Sequence, residues 1–198
     1  MSGATERPPS LLPGVRYGAV VRHADDRGAL REIWRATDEI ALDPADTGSP
    51  PGVAPAYVQA NLSTSVAGVL RGLHFHRRQL DRWLVASGRA WVALIDVRPM
   101  LAGQARPGLE TRELGPDEWV VIPAGVAHGF LALEPLELVY FVTNEYDGTD
   151  ELGFSWDDPL AAVPWPVVHT KPGGRPILSD RDRRNPSLIE LVERLRQG

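Results

Sequence analysis

His74 and His76 stand two residues apart in Gly68-Val-Leu-Arg-Gly-Leu-His74-Phe-His76-Arg-Arg-Gln-Leu-Asp81-Arg-Trp-Leu-Val-Ala-Ser-Gly88, an apolar, strand-like run. Side chains alternate across a strand, so both imidazoles leave the same face. Asp81 follows across a turn, and forty residues beyond Gly88 the stretch Ile122-Pro-Ala-Gly-Val-Ala-His128-Gly-Phe opens another apolar strand with a third imidazole. Two chemistries suit such a set. An imidazole is a general base that works near neutral pH. Three imidazoles and a carboxylate are also a nitrogen and oxygen donor set for Zn²⁺, Fe²⁺, Ni²⁺ or Mn²⁺. A metal-bound His74 has no lone pair left to take a proton, so the two uses compete for that residue.

Groups this far apart in sequence converge only where strands close over a common interior. Strand-like patterns cover 15–21, 29–34 (after the turn Asp25-Asp-Arg-Gly28), 57–63, 69–75, 82–87, 89–97, 111–114, 119–122, 128–133 and 138–143. Many short strands at close spacing, with no helical period between them, predict an all-β antiparallel sandwich or barrel. Proline- and glycine-rich stretches at 43–55 and 98–108 read as loops. Beyond Asp147 the runs Trp156-Asp-Asp-Pro159, Val163-Pro-Trp-Pro-Val167 and Lys171-Pro-Gly-Gly174 predict irregular chain. One short C-terminal helix closes it: Ser187 and Glu190 form a capping box, and Leu188, Leu191, Val192 and Leu195 repeat at helical spacing. Residues 1–14, with three prolines and two glycines, read as a loose arm, and 15–198 as a single domain. Strand parity raises one difficulty, since residues 72, 74 and 76 share a face and Arg71 points away from His74. Gly72, between them, is the expected site of a bulge that turns both inward.

The spacing Gly, five residues, His-x-His, four residues, an acid, six residues, Gly, followed by Pro-x-Gly-x-x-His, resembles the two cupin motifs. Gly68-Val-Leu-Arg-Gly-Leu-His-Phe75, Pro123-Ala-Gly-Val-Ala-His-Gly-Phe-Leu131, Val139-Tyr140, Trp156-Asp-Asp-Pro159 and Leu178-Ser-Asp-Arg-Asp182 resemble, in order, the dTDP-4-dehydrorhamnose 3,5-epimerase family of that superfamily. The resemblance implies a cupin jelly roll and a homodimer formed by strand exchange near the N-terminus. It implies a nucleotide-diphosphate sugar as substrate, 3- and/or 5-epimerisation of a dTDP-4-keto-6-deoxyhexose, and no required cofactor. It assigns the base to His74, its orienting carboxylate to Asp182, and the proton donor to Tyr140. Arg71 matches the arginine that grips the diphosphate, and Gln59, Asn61 and His128 match sugar-site positions. Arg27 and Glu32 fall on the strand that reaches the partner's nucleotide base, although Ala29 and Leu30 replace the aromatics usual there.

The family pattern breaks at one place. Asp81 stands where these epimerases carry an enolate-stabilising lysine, and His76 stands where they carry a residue that does not bind metal. A carboxylate there opposes the negative charge that the chemistry builds. Arg77, Arg78 and Arg82 are nearby replacement cations. The same two changes complete a cupin-type metal set of His74, His76, Asp81 and His128. Two alternatives therefore stand beside the epimerase: a metal-dependent cupin isomerase or dioxygenase acting on another small molecule, and a sugar-binding cupin without activity.

Composition narrows the remaining classes. The 198 residues suit one domain, and 43% apolar with 24% charged residues is ordinary for a globular protein. The absence of cysteine excludes disulfides, thiolate metal sites and a cysteine nucleophile. No apolar run reaches the ~18 residues of a membrane-spanning helix. The N-terminus lacks the layout of a signal peptide, which predicts a cytoplasmic protein with no membrane partner. A net charge of −5 without a basic run argues against nucleic acid. Lys171 is the sole lysine, so no lysine near the histidine motifs supplies a cation or a proton.

Overall fold

Runs rich in β-branched and aromatic residues, broken every few positions by Gly, Pro, Asp or Asn, make short strands. The computed structural model describes residues 8–35, 56–166 and 174–197. One five-stranded sheet has the order β1 (Arg16–Ala19), β9 (Glu118–Ile122), β6 (Asp81–Ser87), β11 (Leu136–Val142), β4 (Gln59–Ser65). The other has the order β12 (Leu152–Gly153), β5 (Leu70–Phe75), β10 (Val126–Ala132), β7 (Ala90–Asp96), β8 (Gly108–Leu114). Neighbouring strands are antiparallel throughout both sheets. The chain crosses repeatedly between the sheets, which is the expected jelly roll. A separate hairpin, β2 (Arg22–Asp25) and β3 (Gly28–Arg31), has almost every residue exposed and is tied to the body by Arg22 and Arg31, which both pair with Asp117.

Two apolar layers hold the sandwich. Trp83, Val85, Val92, Leu94, Val120, Ile122, Phe130 and Leu138 pack between the sheets. The outer face of the β12–β8 sheet is covered as well, by the helix Leu188–Gln197, whose Leu188, Leu191 and Val192 meet Leu73, Phe75, Ala93, Ile95 and Ala127. A strand covered on both faces needs apolar residues at every position. Accordingly β10 is buried at all its positions, including His128. The capping box forms as expected: the Ser187 N–H and hydroxyl both donate to Glu190 Oε2 at 2.8 Å.

The bulge also forms. Between β5 and β10, His74 lies opposite His128 but Arg71 lies opposite Phe130, so three steps on β5 match two on β10. The extra residue is accommodated at Gly72, whose φ is +120°. A Cβ there would sit 2.7 Å from both Gly129 Cα and the His128 carbonyl oxygen. Only glycine suits that backbone and that approach.

Four expectations are corrected. Residues 8–14 are not loose: Leu12 is buried in the core, and the Ser10 hydroxyl and Leu11 N–H donate to Glu110. The strand expected over 29–34 runs only over Gly28–Arg31, paired with β2 across the expected Asp25–Gly28 turn. The loop 98–108 begins with a helical turn, α1 (Arg98–Leu101). The irregular tail contains β12 and a second helical turn, α2 (Asp180–Arg183), which precedes the terminal helix α3 (Leu188–Gln197). Residues 1–7, the loop expected over 43–55, Val167 and Lys171 lie outside the described residues. No helix among the described residues is long and apolar enough to cross a membrane.

Candidate active site

A cavity of about 430 Å³ opens between the two sheets. Strand β5 supplies Arg71 and His74, β4 supplies Gln59, Asn61 and Ser63, β6 supplies Asp81 and Trp83, β10 supplies His128, and β11 supplies Tyr140. His76, Gln79, Asn144, Tyr146, Glu151 and Arg181 add further polar groups to the wall. The volume suits a small organic ligand.

His74 is paired away from the other imidazoles. Its Nε2 lies 2.9 Å from Asp182 Oδ1, and Asp182 is buried. Burial works to raise the Asp182 pKa, but the hydrogen bond and charge of His74, with the Ser179 hydroxyl, outweigh it and hold the carboxyl below its usual range. An ionised Asp182 only accepts, so Nε2 carries the proton and Nδ1 carries the basic lone pair. The pair exists because Ser179 caps α2: its hydroxyl donates to Asp182 Oδ2 at 2.8 Å and accepts from the Asp182 N–H. The Ser179-x-x-Asp182 spacing was a readable helix start, yet the charged run around it looks like solvated surface.

His76, Asp81 and His128 form a second, buried group, with one candidate donor atom of each lying within 4.8 Å of the others. His74 is not part of it, so the expected four-residue metal set resolves into a three-residue cluster and a separate His–Asp pair. His76 Nδ1 donates to the Asp150 carbonyl oxygen at 2.7 Å, and His128 Nδ1 donates to the Val126 carbonyl oxygen at 3.2 Å. Each backbone acceptor fixes its ring with the lone pair on Nε2. Burial holds the His128 pKa down to about 4, against the pull of Asp81 and in concert with His76 and His74. Asp81 accepts from the Gln79 amide at 2.7 Å and from Trp83 Nε1 at 3.1 Å.

Tyr140 lies on β11, in the sheet that faces His74. Burial, then the charges of Asp81 and Glu151, raise its pKa, and Arg71 offsets them only in part. Gln59 and Asn61 both face the cavity, with the Gln59 amide donating to Asn61 Oδ1 at 3.0 Å. Arg71 sits exposed at the mouth, where its guanidinium donates to Ser65 Oγ and the Thr64 carbonyl oxygen.

Other expected residues do not reach this cavity. Arg77, Arg78 and Arg82, the candidate replacement cations, are absent from its wall. The backbone N–H groups of Arg77 and Arg78 bind Asp150, and the Arg82 guanidinium lies over the Trp119 and Phe141 rings and donates to the Ile33 carbonyl. Alternation along β6 explains Arg82: Asp81 and Trp83 face inward, so Arg82 faces outward. Arg27 and Glu32 are exposed and pair with Asp25 and Arg35. Sequence reasoning missed Arg181, Gln79 and Trp83. Two of them were within reach, because Trp83 shares the parity of Asp81 and Arg181 adjoins Asp182.

Comparison with known proteins follows the same lines. Residues 9–190 match the family described as dTDP-4-dehydrorhamnose 3,5-epimerase. The spore coat polysaccharide biosynthesis protein SpsL of Bacillus subtilis (strain 168) is 32% identical over 161 residues, 78% of this chain and 97% of its own length. The dTDP-4-dehydrorhamnose 3,5-epimerase of Streptomyces griseus is 33% identical over 190 residues, 94% of this chain and 88% of its own. Among solved structures, the dTDP-6-deoxy-D-glucose-3,5-epimerase RmlC from Legionella pneumophila Philadelphia 1, in complex with dTDP-4-keto-L-rhamnose, superposes with a TM-score of 0.77 at 26% identity, covering 94% of each chain.

Proposed function

The chain belongs to the dTDP-4-dehydrorhamnose 3,5-epimerase family, isomerases of deoxysugar biosynthesis, and from that premise we propose that it inverts C3, C5 or both in a dTDP-4-keto-6-deoxyhexose, with His74 as base and Tyr140 as acid. The observation that carries this reading is the His74–Asp182 pair in a cavity whose facing sheet bears a protonated phenol. Hydrogens on C3 and C5 are acidified by the C4 ketone between them. His74 Nδ1 takes one such proton, and the electron pair of the broken C–H bond moves into an enolate. Asp182 holds the ring in the competent tautomer and supports the imidazolium that results. Tyr140, kept protonated by burial and by Asp81, returns a proton from the other side of the sugar, which inverts the carbon.

Binding follows from the wall chemistry. Arg71 offers a guanidinium to the diphosphate at the mouth, a group suited to bidentate phosphate contacts. Gln59 and Asn61 offer amides to sugar hydroxyls. The solved relative bound to dTDP-4-keto-L-rhamnose supports a ligand of this class. The nucleotide base would be met by a second copy of the chain. Leu30, Val58, Leu62 and Val66 are 72%, 52%, 62% and 63% exposed on the β2–β3 hairpin and around the outer face of edge strand β4. A twofold dimer would cover them and bring Arg27 and Glu32 of one chain toward the other's cavity.

The test is product analysis. Incubation with a dTDP-4-keto-6-deoxyhexose, followed by NMR of the recovered sugar, is expected to give inversion at C3, C5 or both. Recovery of unaltered sugar from a protein that binds it would reduce the chain to a sugar-binding cupin.

A further inference from the structure

Four acceptor atoms, two from Asp81 and one from each of two imidazoles, meet in the floor of the cavity, and among the described residues no donor reaches His128 Nε2. The Nδ1–H groups of His76 and His128 are committed to backbone carbonyls, so both Nε2 atoms present lone pairs. His128 Nε2 stands 3.6 Å from Asp81 Oδ2, acceptor facing acceptor, at a distance beyond a hydrogen bond. The donors that touch the group are the Gln79 amide, on Asp81 Oδ1 and 3.3 Å from His76 Nε2, and the Trp83 indole on Asp81 Oδ2. All three residues of the group are buried. Buried lone pairs aimed at one another are costly unless something positive lies between them.

We propose that His76, Asp81 and His128 form a divalent-cation site, distinct from the His74–Asp182 base, for a first-row ion of the Zn²⁺, Fe²⁺, Ni²⁺ or Mn²⁺ class. Two imidazole nitrogens and one carboxylate are a known minimal set for such ions, and they leave coordination positions for a ligand oxygen. The backbone carbonyls on Nδ1 and the indole on Asp81 are the outer contacts that orient metal-binding imidazoles and carboxylates. An ion held there would set positive charge beside Asp81, the position at which the family resemblance implies a cation. In its chemical role the proposal rests on the epimerase reading: a bound divalent ion supplies Lewis-acid stabilisation of negative charge on the ketone oxygen. His74 keeps its lone pair for the proton, because Asp182 and not the cluster holds it.

The experiment uses the full chain, stripped with chelator, equilibrated with Co²⁺ or Zn²⁺ and desalted. Expected are one ion per chain by elemental analysis, visible absorption from bound Co²⁺, and a rise in Tm on adding either metal. His76→Gln and Asp81→Asn should lose the retained ion and the Co²⁺ absorption while keeping the parent circular dichroism. His74→Ala should retain both. Failure of the parent to retain an ion overturns the site and leaves the Gln79 amide as the group that satisfies the cluster. Loss of the ion in His74→Ala overturns the separation of cluster from base. Asp81→Asn binding as tightly as the parent overturns the ligand set. The epimerase reading is judged apart from this: an ion retained without sugar inversion sinks that reading and spares the site, and inversion by the metal-free chain upholds that reading and overturns the ion's Lewis-acid role.

Discussion

At the scale of single residues, the site is a division of labour between histidines that look alike in sequence. His74 and His76 share a strand face, yet one binds Asp182 and the other turns its Nε2 toward Asp81. Spacing alone could not separate them, because α2 returns Asp182 from more than a hundred residues away, and only the family resemblance pointed to the His74–Asp182 pair. Tyr140 offers the sharpest test at this scale. Its raised pKa means that the phenol, not the phenolate, is the form present up to and beyond pH ~10, the ordinary value for tyrosine. An acid with a raised pKa loses function only when pH climbs past that raised value. The formation of inverted sugar should therefore show no alkaline loss attributable to Tyr140 below pH ~10. Tyr140→Phe should suppress inverted product while leaving proton removal in place, read as deuterium exchanged from D₂O into otherwise unaltered sugar. Equal loss of exchange and inversion would make Tyr140 a packing residue.

At the scale of elements, the bulge in β5 decides which side chains share the cavity. An unbroken strand would point Arg71 away from His74, and one extra residue at Gly72 puts both on the wall. The glycine was readable as a bulge site, since glycine weakens the interior of an apolar strand and is favoured where the backbone bends or is closely approached. Gly72→Ala places a Cβ against backbone atoms of Gly129 and His128 at a positive φ. The expected cost is roughly 2–4 kcal/mol from the backbone strain and overpacking together, measured by denaturant unfolding. Activity should fall more than stability requires, because His74 and Arg71 both shift. A variant as stable and active as the parent would show that the bulge does not need glycine. The strand order of the two sheets was less legible than the strands themselves. Short apolar runs report that a strand exists and which face is covered, whereas the pairing of β6 with β9 and β11 is a long-range outcome. The helical turns α1 and α2 escaped detection because a four-residue turn has no period to read.

At the scale of the whole molecule, the described chain leaves an apolar face uncovered around an edge strand. Polar residues of β4 point inward to the cavity, and Leu62 points out to solvent, the reverse of an ordinary surface strand. On the proposed association of two copies, which would cover Leu62, light scattering at micromolar concentration should give twice the mass of the 198-residue chain. Leu62→Arg should shift that mass toward the monomer and weaken substrate binding, since each cavity would lose the partner's hairpin. The measurement that bears most directly on the whole account is the rate at which solvent deuterium enters C3 and C5 of a dTDP-4-keto-6-deoxyhexose, compared between the parent and His74→Ala. General-base catalysis is worth ~10²–10⁴ in rate, and removal of His74 should lower the exchange by that factor with the fold intact by circular dichroism. Exchange in His74→Ala at the parent's rate would contradict it, and would require the proton to be taken by another group in the cavity.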